Sequence, residues 1–230
     1  MPVLLVRAAH PRQAVLTAVG LAAAAGISGR SPREVGLVAV TVLVGQALLG
    51  WDDDLADESA DRADDRTTKP LVAGTLDRGT LWFALVCAVL LVVPLSLSSG
   101  IEAGLAYLLS LVAGVLGNRV LRTGPLSWLP WAVAFALYPA YFSYGGWGGT
   151  AHGHPPTVAM STAAALLGVG VHVLTSLRGL VDDNRSGRRH LPLHLALRMG
   201  APRLLVVAGV YCAVMIAVIA VVGGTVGLSQ

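Results

Sequence analysis

The stretch Gly50-Trp51-Asp52-Asp53-Asp54-Leu55-Ala56-Asp57-Glu58-Ser59-Ala60-Asp61 concentrates carboxylates in a chain that is otherwise mostly apolar. Asp53, Asp57 and Asp61 recur every four residues, and Asp54 precedes Asp57 by three, so on a helix these acids share one face. Like charges held this close repel unless a cation neutralises them. Mg2+ is the natural candidate, because it takes oxygen ligands and commonly bridges protein carboxylates to phosphate oxygens. Arg62, Arg66 and Lys69 follow directly. Carboxylates alone suit a bare divalent cation, whereas carboxylates followed by fixed positive charges suit Mg2+ together with a diphosphate. A solvated loop is the competing reading, but the four-residue period and the adjacent Trp51 favour an ordered helix at a membrane surface. Solvation or helix capping explains Asp52, Asp64, Asp65 and Asp77 as well as chemistry does.

The pair Lys69-Pro70 and then Gly74 close this acidic and basic run. Proline keeps Lys69 extended and glycine permits a turn, an arrangement that aims the Lys69 ammonium back at bound phosphate. Both Lys69 and Arg66 read as ligands of phosphate in a polar loop, with no part in holding the fold. A second constellation, Arg178-Gly-Leu-Val-Asp-Asp-Asn-Arg-Ser-Gly-Arg-Arg-His-Leu-Pro192, repeats the order of apolar helix, acids and bases. Asp183 is its metal candidate, with Arg185 and Arg188 as anion ligands; Asp182 points elsewhere on a helix. Asn118 and Arg122 lie four apart at a corner between apolar segments and reach toward the same place. His172 sits near the end of its apolar segment, either packed between helices or touching substrate.

The elements that must position these groups are membrane helices. The 230-residue chain is 55% hydrophobic and 13% charged, with 27 Gly, against a charged share of about 25% in soluble domains. Apolar segments recur at about 13–29, 35–51, 80–98, 102–118, 126–146, 156–177 and 203–225, most of them near the ~20 residues that span a bilayer. The expectation is an all-α polytopic bundle of about seven spans in one domain over 1–230, its first span retained and not cleaved as a signal peptide. Of the 16 Lys and Arg, all but Arg30 and Arg33 fall at the N-terminus or in the links 52–79, 119–124 and 178–203. The positive-inside rule puts those links and the N-terminus in the cytoplasm. Their basic residues are interleaved with Asp, whereas a nucleic-acid surface needs a basic face without such acids. Cys87 and Cys212 read as small apolar core residues. Tyr138, Tyr141 and Tyr144 read first as interfacial anchors, with contact to acceptor or prenyl tail as the alternative. His152 and His154, in the Gly- and Pro-rich link 147–156, read as a surface loop.

Together these residues resemble the UbiA superfamily of intramembrane prenyltransferases, closest to its actinobacterial branch. Its members show Asn-Asp-x-x-Asp-x-x-x-Asp, then an Arg, a Lys/Arg-Pro pair and a Gly. This chain has Asp53, Asp54, Asp57 and Asp61, then Arg66, Lys69-Pro70 and Gly74. The likeness runs from about Arg7 to Pro192 and takes in the Asn118-to-Arg122 corner, Pro125-Leu-Ser-Trp-Leu-Pro130 and His172. It implies a helical bundle, usually of nine spans, that binds an isoprenyl diphosphate through Mg2+ at two Asp-rich motifs. Asp54, Asp57 and Asp61 would then be metal ligands and Arg66 and Lys69 diphosphate ligands, with the prenyl group passing to an aromatic or other lipophilic acceptor. Three departures stand out: Asp53 replaces the usual Asn, Gly179 and Val181 replace acids of the second motif, and the chain ends two spans early. The altered second motif leaves two alternatives, a membrane terpene cyclase that needs no acceptor and a non-catalytic binder of prenyl lipid.

Overall fold

A computed structural model describes residues 1–64, 66–146 and 153–226, with side chains described as far as residue 223. Asp65 and His152, singled out above, lie outside the described residues. The described chain is helical: α1 (Pro2–Ala8), α2 (Pro11–Ile27), α3 (Pro32–Ala63), α4 (Arg78–Leu97), α5 (Ile101–Arg119), α6 (Leu129–Ser143), α7 (Val158–Ser176), α8 (Leu180–Arg185), α9 (Leu191–Met199) and α10 (Ala201–Val226).

Five of these, α3, α4, α5, α7 and α10, are long and apolar enough to cross a membrane. The other two apolar segments form α2, with 17 residues, and α6, with 15. At 1.5 Å per residue these reach only about 25 and 22 Å, short of a hydrocarbon core of about 30 Å. Consecutive long helices pack side by side from α2 through α7, α3 also touches α5, and α10 returns against α7. Large apolar side chains cover the outside, including Phe83 and Leu90 on α4 and Val206 and Val210 on α10. Water would not tolerate so much apolar surface, whereas lipid does. Cys87 is on that exposed surface and not in the core, while Cys212 is buried.

The core departs from expectation at the tyrosines. Tyr138 and Tyr141 are buried within the bundle, and the Tyr141 ring stacks 5.1 Å from Tyr107, itself fully enclosed. Their apolar rings fill space between α5 and α6, where an interfacial anchor would have stayed at the bundle's end.

The key to the site is the length of α3. It starts with a capping box, in which Ser31 N donates to Glu34 Oε2 at 2.8 Å and Glu34 N donates back to Ser31 Oγ. It then runs 32 residues, about 48 Å. A bilayer core needs only the first ~20 residues. The remainder, from about Asp52 on, projects beyond the apolar zone and carries the acids with it. At the other end of the bundle Arg30 is drawn inward, donating to the Phe142 carbonyl and standing 3.8 Å from Glu34.

Candidate functional site

The projecting end of α3 is met by three connections and the α1–α2 corner. The first connection follows α3 directly. Gly74, at φ 69°, turns the chain back, and Asp77 caps α4 by accepting from Thr80 N at 2.8 Å. The turn brings Lys69 over the acidic face: its Nζ lies 2.8 Å from Asp54 Oδ1 and 2.7 Å from Asp61 Oδ2. Both carboxylates are almost wholly enclosed. Burial works against the Lys69 charge, but Asp54 and Asp53 outweigh it and hold its pKa above the ordinary lysine value. Arg66 stands 3.5 Å from Asp61 and 3.5 Å from Asp182, joining the first acidic motif to the second.

The second connection, between α5 and α6, sends Arg122 onto Asp57. The third, after α8, supplies Arg188, whose guanidinium reaches Asp64 at 3.0 Å, Asp183 at 3.3 Å and Asp57 at 3.8 Å. Thus Asp57 forms one cluster with Asp183 and Arg188, which lie more than a hundred residues further along the chain. Desolvation lowers the Arg122 pKa, and the nearby Arg188 charge adds to that.

Several predicted site residues lie elsewhere. Asn118 donates to Leu49 O at 3.0 Å and Asp52 Oδ2 at 3.2 Å, on the side of α3 facing α5. Asp52, for which solvation or helix capping served as well as chemistry, is 3% exposed and paired with Arg119 at 2.6 Å. It ties the end of α3 to α5. His172 is buried, with its Nε2 3.3 Å from Ser127 Oγ and its ring 5.5 Å from that of Trp131. Arg185 is exposed and makes none of the cluster's ion pairs. Lys69 and Arg66 also differ from expectation: each neutralises buried acid and so contributes to the fold.

Sequence reasoning missed three participants. His10 adopts a left-handed conformation between α1 and α2 and puts its Nε2 3.3 Å from Asp54 Oδ1. Gly50 permits this, since a Cβ there would meet the Ala9 backbone at 2.8 Å. The bond to Asp54 raises the His10 pKa, burial opposes it, and the Asp53 and Asp54 charges add to the rise. His10, Asp53 and Asp54 each offer a ligand atom, all within 4.8 Å of one another. His190 caps α9 by accepting from Leu193 N through Nδ1 at 3.2 Å. Its proton is therefore on Nε2, which donates to Asp183 Oδ2 at 3.0 Å. Ser127 accepts from Leu191 N at 3.1 Å and so connects the α5–α6 link to α9. The His190-Leu-Pro192 pattern is a helix-start signal, and Ser127 lies within the Pro125-to-Pro130 stretch that carries the family likeness; nothing local in the sequence marks His10.

The sequence profile of the UbiA prenyltransferase family matches residues 14–229. No curated protein gives a significant match. Among solved structures, a UbiA homolog from Archaeoglobus fulgidus bound to GPP and Mg2+ superposes with a TM-score of 0.70 at 18% identity, covering 94% of this chain and 76% of that one. The same values of 0.70 and 18% hold for a homolog bound to DMAPP and Mg2+, with coverage of 93% and 75%. A structure bound to Cd2+ gives 0.67 at 15% identity, over 95% and 87%. At such identities the likeness is one of fold.

Proposed function

Because this chain belongs to the UbiA prenyltransferase family, we propose that it is an Mg2+-dependent enzyme that ionises an isoprenyl diphosphate and transfers the prenyl group to a second substrate. One observation carries this reading. At the charged end of the bundle Asp53, Asp54, Asp57, Asp61, Asp64, Asp182 and Asp183 outnumber the fixed cations Arg66, Lys69, Arg122 and Arg188 that touch them. Crowded this closely around the fully buried Asp61, the carboxylates that these four cations leave unmatched favour an added cation.

The donor set suits Mg2+. Asp54, Asp57, Asp61 and Asp183 offer carboxylate oxygens, the ligands that this hard cation prefers. Both oxygens of Asp61 and one of Asp57 are buried without a well-aligned hydrogen bond, although cations stand near them. They are thus placed to serve as ligands. Bound Mg2+ would supply positive charge to the departing diphosphate. Lys69, Arg66, Arg122 and Arg188, now on carboxylates, would turn to diphosphate oxygens, with charge-assisted hydrogen bonds that strengthen as negative charge develops. The allylic C–O bond breaks with its electron pair on the diphosphate oxygen. An electron pair of the acceptor then bonds to that carbon, and the acceptor's proton leaves to water at the charged end. Apolar helix walls keep water from the cation in between. The homologs bound to GPP or DMAPP with Mg2+ support this substrate class.

On the same reading α2 and α6 complete seven spans, and the charged end faces the cytoplasm of the cell membrane. The direct test is incubation of the purified protein with C10 to C20 prenyl diphosphates and Mg2+, with and without acceptors, followed by mass analysis. Prenylated acceptor is the expected product. Cyclic hydrocarbon formed without acceptor would identify a cyclase, and intact diphosphate under every condition would sink the enzymatic reading.

A further inference from the structure

An open cavity of about 350 Å3 is lined by Arg7, Arg12 and Arg178 together with Lys69, Asp54 and His10 of the cluster described above. Its volume falls near the lower end of small-molecule pockets, about 300–1,000 Å3. The walls come from the end of α1, the start of α2, Asp54 on α3, the link after α3 and the link between α7 and α8. The cationic lining is of two kinds. Lys69 is committed to Asp54 and Asp61. Among the described residues Arg7, Arg12 and Arg178 have no carboxylate within 4.0 Å, and Arg7 makes one long bond, of 3.4 Å to Thr68 O. Elsewhere at this end, Arg66, Arg119, Arg122 and Arg188 are each paired with acid.

The backbone adds to the same field. The 17-residue helix α2 starts at the cavity with no side-chain cap, since His10 is turned to Asp54. Pro11 has no N–H, so the N–H groups of Arg12 and Gln13 form the open N-terminus of a long helix, which attracts anions. Arginines that served only to anchor the chain at the membrane would have no reason to converge from three segments on one cavity. We propose that this cavity binds the phosphate group of a second, phosphorylated ligand, which the prenyl-transfer reading makes the acceptor. The role as acceptor rests on that reading; the binding of phosphate does not.

The test uses the full chain in phosphatidylcholine nanodiscs with EDTA, so that no divalent cation loads the carboxylates. Phenyl phosphate is titrated by calorimetry, with phenol as the uncharged control. Arg12→Gln and Arg178→Gln, both at exposed positions, should each weaken phenyl phosphate at least about tenfold, the effect of losing one charge-assisted hydrogen bond. Arg185→Gln and Arg188→Gln should change it by less than about twofold. Discs doped with phosphatidylglycerol separate the sources of phosphate. Weakened phenyl phosphate binding that Arg178→Gln abolishes assigns the cavity to a phospholipid headgroup, and unchanged binding assigns it to a soluble phosphate ester. Absence of binding overturns the proposal. So does a loss in Arg188→Gln with Arg12→Gln and Arg178→Gln unaffected, since the anion would then sit among the carboxylates. Diphosphate release from geranyl diphosphate with Mg2+, measured on the same samples, keeps the two readings apart: turnover without phosphate binding removes only the cavity, and phosphate binding without turnover removes only the enzyme.

Discussion

Replacing Lys69 with Met should destabilise the protein and not merely weaken its grip on diphosphate. The ammonium is 20% exposed and sits 2.8 and 2.7 Å from two carboxylates whose exposures are 2% and 0%. Methionine keeps the length of the side chain and removes the charge, leaving Asp54 and Asp61 buried beside each other. Removing one partner of a buried ion pair costs about 3–5 kcal/mol. Arg66, still 3.5 Å from Asp61, and His10, 3.3 Å from Asp54, should hold the cost to the lower part of that range. For a chain of this size each kcal/mol moves the midpoint by about 2–4 °C, so Lys69→Met should melt about 10 °C below wild type. Thermal melts in detergent with EDTA measure this. Added Mg2+ should recover much of the difference, because a divalent cation between Asp54 and Asp61 replaces the missing charge. A variant that melts within about 2 °C of wild type in EDTA would refute the ion-pair argument. Recovery by Na+ as full as by Mg2+ would refute a specific metal site.

Four further outcomes are expected. Asp57→Asn should abolish Mg2+-dependent binding of prenyl diphosphate, read by titrating Mg2+ at fixed ligand; wild-type Mg2+ dependence would return the acidic face to a structural role. Asp52→Asn should cost about 1–3 kcal/mol of stability by loosening the contact with Arg119, with turnover per folded molecule kept within about twofold; wild-type melting would remove Asp52 from its structural role. His10 has a pKa raised by its bond to Asp54, so its stabilising effect is complete below the ordinary value of 6.5 and is lost as pH rises through the folded value. The melting difference between wild type and His10→Asn, a replacement that tolerates the left-handed backbone, should therefore shrink above pH 6.5 in EDTA, and a difference constant from pH 5.5 to 8.5 would contradict the pairing. Single cysteines placed at Ser59 and Ser186 should resist labelling by impermeant reagents in intact cells and react in lysed ones; labelling from outside would reverse the proposed orientation.

The apolar segments were legible because burial in lipid leaves a long, one-sided compositional signal, and each of them became a helix. The count of spans was less so, since α2 and α6 are read as apolar runs but come out short of a bilayer's thickness. The acids of α3 announced themselves through their spacing, which fixes a shared face before any fold is known. What spacing cannot give is the partner on the other side of α3. Asp52 looked like one more solvated acid because its neighbours Asn118 and Arg119 lie 66 and 67 residues away. His10 was invisible for the same reason, its contact with Asp54 spanning 44 residues. Lys69 is a loop residue in sequence and in structure; only the fold shows that the loop closes over two buried carboxylates.

The position of the acids carries its own argument. A helix is negative at its C-terminus, so carboxylates belong in its first turn and cations in its last. The end of α3 breaks this rule, with Asp57, Glu58 and Asp61 all in its final turns and Arg62 alone opposing them. Each acid repels the helix end as well as its neighbours, and the segment extends beyond the length that lipid can stabilise. It persists as helix because cations from elsewhere reach it: Arg78 pairs with Glu58 at 2.5 Å, Lys69 with Asp61, and Arg122 and Arg188 with Asp57. A stretch that defies local preference yet is held in place by distant parts of the chain marks where a protein accepts a structural cost for function. The site must for the same cause be sensitive to its ligands. The cations that keep α3 extended are those that a diphosphate would attract, so binding of diphosphate without a metal should loosen the end of α3, and binding of both together should restore it. Hydrogen exchange across 52–63 would show this as faster exchange with prenyl diphosphate in EDTA and slower exchange once Mg2+ is added. Equal protection in the two conditions would mean that the cations never leave their carboxylates, and the proposed exchange of partners would fail.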